Sequence, residues 1–245
     1  MTSSGCTVIL PTYNEEENIG DMIGRLRRMY PNFKILVMDD NSKDGTKKTV
    51  MNLMGSDGSV SIVTRGINDK GLTASIIQGI METRTGFFIN MDSDFQHPPS
   101  ALEEMYEKLM YGADLVIGVR KDRRALSFGR WASSWLAHVM ANLTLMFRGK
   151  QMSTDVMSGL FGGRTVMFAE VVKKHEKEFE RRGFKALFDL LKFAPNDIVI
   201  DDVYFEFGER HRGESKVSSK VIFSVMRQCG RLGRFVTDIC VKIKN

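Results

Sequence analysis

The sequence predicts an α/β fold: a mostly parallel sheet flanked by helices, followed by C-terminal amphipathic helices. Three observations carry this. Short apolar, β-branched runs alternate with helical periodicity through the first half of the chain, which is how strand–helix–strand units read. Several strand runs end in polar groups, Tyr13–Glu15, Asp39–Asp40 and Asp92–Asp94, at the carboxyl edge where ligands of such sheets sit. The 245 residues, 42% hydrophobic and 27% charged, suit one large domain with a substantial core.

Taken in order, CTVILP (6–11) is the first strand, closed by Pro11. Asn14 is placed to cap the next helix, Glu15–Glu17 suit its first turn, and Ile19, Met22, Ile23, Leu26 and Met29 recur at helical spacing. KILVMDD (34–40) is a strand, NSKDGT a turn and 46–54 a helix. SVSIVT (59–64) is a strand, 71–83 a helix and FFINMD (87–92) the fourth strand. Pro98–Tyr111 reads as a helix with prolines in its first turn, and DLVIGVR (114–120) as the next strand. Beyond it, 125–148 reads as helical, TDVMSGLFGGR (154–164) as turn-like, 173–192 as a charged helical region and IVIDDVYFEF (198–207) as a strand. ERHRGESK is a basic loop, and 217–243 a basic amphipathic helix interrupted by Gly230 and Gly233. The expected division is a single catalytic domain over 1–210 and a basic helical tail over 211–245, packed on it or on a membrane.

Cys6, Cys229 and Cys240 lie far apart without metal-ligand spacing, so neither a zinc cluster nor a disulfide framework follows and a reducing compartment is expected. The opening residues carry no signal-peptide pattern. Trp131–Phe147, 17 residues without charge, is too short and too polar to read as a membrane span; it reads as a helix lying against something apolar. The formal charge of +5 is split unevenly: residues 120–150 carry a net +6, residues 210–245 a net +7 and the rest −8. Such a split suggests a polyanionic partner for the basic segments.

The acids carry the chemistry. Asp92 and Asp94 share one side of an extended chain, and Gln96 adds an amide oxygen. That donor set suits a hard cation, Mg²⁺ or Mn²⁺, which neutralises a departing diphosphate. Asp40 either accepts hydrogen bonds from a base or ribose hydroxyl or caps a helix with Asn41; Glu15 either caps its helix or holds the nucleotide. The four histidines do not cluster and read as structural or exposed.

PTYNEEENI, VMDDNSKDGT, KGLTASIIQGI, MDSDFQHPPSAL, VIGVR, DVMSGL and RGESK stand in the order found in family-2 glycosyltransferases of the GT-A (Rossmann-like) fold. The chain most resembles the polyprenyl-phosphate (dolichyl-phosphate) mannose synthases, over roughly residues 6–220. The resemblance implies transfer of mannose from GDP-mannose to dolichyl (polyprenyl) phosphate with inversion. It implies that Pro11, Tyr13, Glu15 and Asp40 contact guanosine, with Lys70 and Gly71 also on the donor side. Asp92, Asp94 and Gln96 would hold the metal and diphosphate. Arg120, Arg130 and Ser134 would cradle the acceptor phosphate, Ser158 and Gly159 would line the sugar site, and Arg212 and Lys216 would close over the phosphates. Asp94, Arg120 and Arg212 would be catalytic. Ser93 stands where the family usually has alanine, and LFGG after Ser158–Gly159 is looser than usual. The C-terminal membrane spans of many relatives are missing from this sequence. The chain is therefore expected at the cytosolic face of the endoplasmic reticulum membrane (the cytoplasmic membrane in a prokaryote), held there by small membrane-anchored partner subunits or by its own surface.

A polyprenyl-phosphate glucosyltransferase using UDP-glucose shares the whole constellation. A sugar nucleotidyltransferase would open with a Gly-rich basic loop, which PTYNEEEN is not. A nucleic-acid binder would account for the pI of about 9.1, yet no aromatic stacking platform accompanies the arginines; no nucleic-acid partner is expected. A non-catalytic membrane-surface subunit would not need both Asp92 and Asp94.

Overall fold

Alternate residues of the first strand serve two different cores, and the architecture follows from that. A computed structural model describes residues 3–66, 69–121, 128–181, 183 and 185–208, without the side chains of 3, 4, 128–134 and 136. Strand β1 (Ser3–Thr12) buries Ile9 against helices α3 (Leu72–Glu82), α6 (Thr165–His175) and α7 (Ala186–Phe193). Its neighbours Val8 and Leu10 are buried among residues of α1 (Glu16–Met29), α2 (Thr46–Ser56) and α4 (Ala101–Met110). A strand covered on both faces reads as a continuous apolar run, which is why VIL and ILVM are unbroken.

Seven strands form one sheet in the order β3-β2-β1-β4-β6-β5-β7. These are β2 (Lys34–Asp39), β3 (Val60–Thr64), β4 (Thr85–Asn90), β5 (Leu115–Arg120), β6 (Phe161–Arg164) and β7 (Ile200–Phe205). All pairings are parallel except those of β6, which runs antiparallel to β4 and β5. The chain winds outward from β1 to β3, then crosses back to the other side of β1 to lay down β4. Between β1 and β4 the winding direction changes, and a crevice opens there at the carboxyl edge.

Several expectations need correction. The turn-like 154–164 ends in a strand, β6, whose two glycines are demanded by packing: a Cβ on Gly162 would stand 2.7 Å from the Phe88 carbonyl oxygen, and one on Gly163 would stand 2.6 Å from the Phe168 ring. The charged helical region 173–192 is two helices, α6 and α7, separated by a 3₁₀ turn at Glu176–Glu178 and an irregular stretch. Asn14 does not cap α1; at φ 54° its side chain accepts the Lys43 N–H, and Glu15 occupies the cap position without a capping bond to the helix's backbone N–H groups. Helix α4 starts at Ala101, after the prolines. The remaining helix, α5 (Phe128–Phe147), lies where one was expected. The 211–245 tail lies outside the described residues.

Candidate active site

The candidate residues lie at the carboxyl ends of β1, β2 and β4, where a topological switch places ligands in sheets of this kind. On the β1 side Tyr13 is exposed, and the Lys70 ammonium lies 4.7 Å from its ring centroid. Glu15 accepts from the Asn18 side-chain amide and donates its own N–H to Thr46 Oγ1. At the end of β2, Asp40 holds the loop that carries Lys70. Its Oδ2 accepts the Gly71 N–H at 2.8 Å, and its Oδ1 takes Ser75 Oγ and the Arg65 guanidinium. Arg65 is almost wholly buried, and it also bonds Gln78 and Asp69. Asp69 in turn takes two hydrogen bonds from Arg181. This chain of charges ties the donor-side loop to the segment before α7.

On the β4 side the acids do not extend the strand. β4 ends at Asn90, and residues 93–97 form a bend with Phe95 at φ 65°. Shared sidedness along an extended strand therefore does not describe Asp92 and Asp94; the bend brings them together. Asp94 is buried and accepts the Gln96 N–H at 3.1 Å, while the Asp92 carboxylate is 41% exposed. Both carboxylates act electrostatically on His97, so both lie near it. Opposite them stands Gly159, where a Cβ would come within 3.4 Å of Asp92 Oδ2 and 3.0 Å of the His97 ring. Ser158, its neighbour, is committed to backbone, its hydroxyl donating to the Gly118 carbonyl at 2.6 Å. It therefore positions Gly159.

Arg120, at the tip of β5, lies flat on Phe207 with its guanidinium carbon 3.3 Å from the ring centroid. Lys185 donates to the Met157 carbonyl at 2.7 Å. Burial pushes its ammonium below the ordinary lysine range, against the pull of Asp155 and Asp92 and with the push of Arg120. Sequence reasoning missed Lys185, Asp155, Arg65 and Phe207, none of which stands beside the acid motifs in the chain. Arg130 and Ser134 lie on α5, but their side chains are not described; Arg212 and Lys216 lie outside the described residues.

Asp92 and Asp94 stand close to His97, and at Gly159 the missing Cβ leaves room in front of Asp92; carboxylates suit a hard cation. Among the described residues no group of three or more His, Cys, Asp or Glu forms a metal cluster.

The family model "Glycosyl transferase family 2" matches residues 7–176. The dolichol-phosphate mannosyltransferase of Mycosarcoma maydis is 30% identical over 254 residues, covering 96% of this chain and 81% of the relative. That of Saccharomyces cerevisiae is 30% identical over 240 residues, covering 92% and 86%. A crystal structure of glucosyl-3-phosphoglycerate synthase from Mycobacterium tuberculosis, in complex with Mn²⁺, UDP-glucose and phosphoglyceric acid, superposes with a TM-score of 0.58 at 16% identity, over 93% of this chain and 80% of that one. The crevice, its acids and these matches agree: the chain belongs to glycosyltransferase family 2.

Proposed function

We propose that this glycosyltransferase moves mannose from GDP-mannose to a polyprenyl (dolichyl) phosphate, giving the β-linked mannosyl phosphate by inversion. One observation carries the reading. Two acids, Asp92 and Asp94, and two cations, Arg120 and Lys185, all act electrostatically on His97. A leaving diphosphate and an incoming phosphate both need positive charge, which a cation on the acids together with these basic side chains would supply. The dolichol-phosphate relatives named above support the acceptor class.

Tyr13, Glu15 and the Lys70–Gly71 loop would bind the nucleoside end, with Asp40 fixing that loop. Asp92, Asp94 and Gln96 would hold Mg²⁺ or Mn²⁺, which when bound neutralises charge on the leaving diphosphate. The M. tuberculosis synthase binds Mn²⁺ with its sugar nucleotide. Arg120 would orient the acceptor phosphate, with Arg130, Ser134, Arg212 and Lys216 as further candidates. One acceptor phosphate oxygen attacks the anomeric carbon. The bond from that carbon to the diphosphate oxygen breaks, and its electron pair leaves with GDP. The acceptor is already an anion at neutral pH, so no side chain has to remove a proton. Positioning and charge stabilisation provide the rate.

Membrane attachment is proposed through α5. Ala137, Ala141 and Leu145 face the core, while Trp135, Leu143, Met146 and Phe147 face outward, Phe147 at 77% exposure. No described helix is long and apolar enough to cross a membrane. An outward apolar stripe beside Arg148 and Lys150 suits shallow insertion at the cytosolic face.

The deciding experiment offers radiolabelled GDP-mannose and UDP-glucose in parallel, each with dolichyl phosphate and Mg²⁺ or Mn²⁺. Label entering lipid from GDP-mannose supports the reading. Transfer from UDP-glucose alone replaces the donor, and transfer from neither removes the acceptor.

A further inference from the structure

His97 sits beside the acid bend, and the geometry fixes how it works. Its Nδ1 accepts the Asp92 backbone N–H at 3.1 Å, so Nδ1 carries no proton and the ring is neutral. The Asp92 Oδ2 contact to the same nitrogen, at 3.6 Å, is therefore not an ion pair.

The bond fills a need created by the sheet. Past the end of β4 the ladder no longer supplies partners: the Met91 N–H still reaches the Ile9 carbonyl, and the next N–H, that of Asp92, turns to His97. The bond is only partly buried, but an N–H held by a fixed acceptor keeps one backbone direction, and His97 supplies that acceptor where the ladder stops. His97 is itself held edge-on by Phe205 and Phe207, with ring centroids 5.7 and 5.9 Å away. The same Phe207 ring carries Arg120 on its face. Gly208 then donates its N–H to the Gln96 carbonyl.

We propose that His97 is a positioning residue of the cation site. Through Nδ1 it fixes the Asp92 backbone so that the carboxylates of Asp92 and Asp94 and the Gln96 amide converge. Through Phe207 it sets that bend at a fixed distance from the arginine of the acceptor side. The inference rests on the cation reading of the acids given above. It assigns no bond between His97 and the ion.

The test is Mn²⁺ affinity in the presence of GDP, read by electron paramagnetic resonance of the free ion, with no turnover involved. His97→Asn places an oxygen acceptor where Nδ1 was. His97→Gln moves its acceptor one methylene outward, and His97→Leu has none. Asn is expected within about 3-fold of the wild type, with Gln and Leu weaker by about 10-fold or more, the scale of losing a partner that orients a ligand. Gln holding wild-type affinity, or Asn falling together with Gln and Leu, overturns the inference, because ring packing or nothing would then explain the residue. Should Leu fail to fold by circular dichroism, the Asn–Gln pair decides alone. A wild-type chain that binds no Mn²⁺ with GDP overturns the cation reading itself and this inference with it. Wild-type binding with unchanged variants overturns the inference alone.

Discussion

The guanidinium of Arg120 rests on the face of Phe207, 3.3 Å from the ring centroid. An arginine on a ring face combines the stacking contact with a planar fork whose geometry matches a phosphate's two oxygens. Lysine can copy the charge but neither the stacking nor the fork. Arg120→Lys should lower kcat/KM for the lipid phosphate about 10-fold or more, corresponding to about 1.4 kcal/mol. Phe207→Leu should give a smaller loss in the same direction. Donor KM should move less than acceptor KM in both. Steady-state kinetics with each substrate varied in turn checks this; an unchanged acceptor KM in Arg120→Lys contradicts it.

Asp94 does two jobs that can be separated. Its Oδ1 holds the Gln96 N–H, and its charge is proposed to hold the cation. Asp94→Asn keeps an acceptor for the turn and discards the charge. Transfer should fall by two orders of magnitude or more, while the melting temperature stays within a few degrees, since removing one of two neighbouring carboxylates relieves like-charge repulsion. Asp92→Asn should behave alike. Full activity in either variant with metal present would count against the site.

On α5, Trp135 and Phe147 are exposed aromatic side chains, proposed above to enter lipid. Burying one such side chain in lipid contributes about 1.5–3 kcal/mol, and each nearby Lys or Arg adds about 1 kcal/mol on anionic membranes. Purified chain should float with anionic vesicles at low salt, less so at high salt. The double variant Trp135→Ser, Phe147→Ser should float poorly at either. Retention of full binding by that variant would move attachment elsewhere on the chain.

The Arg65–Asp69–Arg181 link should appear in the acid stability curve. The hydrogen bond from Arg181 is the main reason the Asp69 carboxyl lies below its ordinary range, against a desolvation cost. A carboxyl depressed in the fold takes up protons more readily once unfolded. Its contribution is therefore complete above the unfolded value of about 3.9 and disappears as pH falls through the lower folded value. Asp69→Asn should lower the melting temperature slightly at neutral pH and flatten its decline below about pH 4. The effect is small because the pair is partly exposed. An acid limb identical to wild type would show that the link does not contribute.

Gly162→Ala should be costly, although alanine is otherwise a mild replacement. The new methyl would meet the Phe88 carbonyl oxygen at 2.7 Å and Ile89 Cγ1 at 2.8 Å, and the carbonyl belongs to a sheet that cannot give way. A loss of about 1–3 kcal/mol is expected from overpacking, measurable as a lower urea midpoint. An unchanged midpoint would mean that β6 can shift in its slot.

That glycine also shows where sequence reading stops. Strands β1, β2, β4 and β5 were legible because their apolar runs are buried on both faces, β3 because its run is β-branched although it lies half-exposed at the sheet edge, and α1 because its apolar positions follow helical spacing. FGGR has no such signal. It is a strand only because Phe88 and Phe168 leave no room for side chains, a tertiary fact invisible in the local sequence. The acids were legible as a pair, but the reasoning that aligned them on an extended strand was not correct, since β4 ends at Asn90 and the bend does the aligning. Lys185 and Arg65 escaped for a related reason: each reaches the site from a distant element, and nothing at its own position announces a partner.

Because β6 fills the slot between β4 and β5, a nascent chain cannot close its sheet in the order in which it is made. Strands β1 to β4 pair among themselves within the first 90 residues. By contrast β5 finds neither neighbour until Phe161–Arg164 and Ile200–Phe205 have left the ribosome. Until then the inner edge of β4, next to the future acid bend, presents unpaired backbone to any other strand in reach. Synthesis of this chain thus passes through an interval in which the inner edge of β4 and the unpaired β5 are exposed to aggregation, and a chaperone that binds extended apolar segments would find β4 and β5 there.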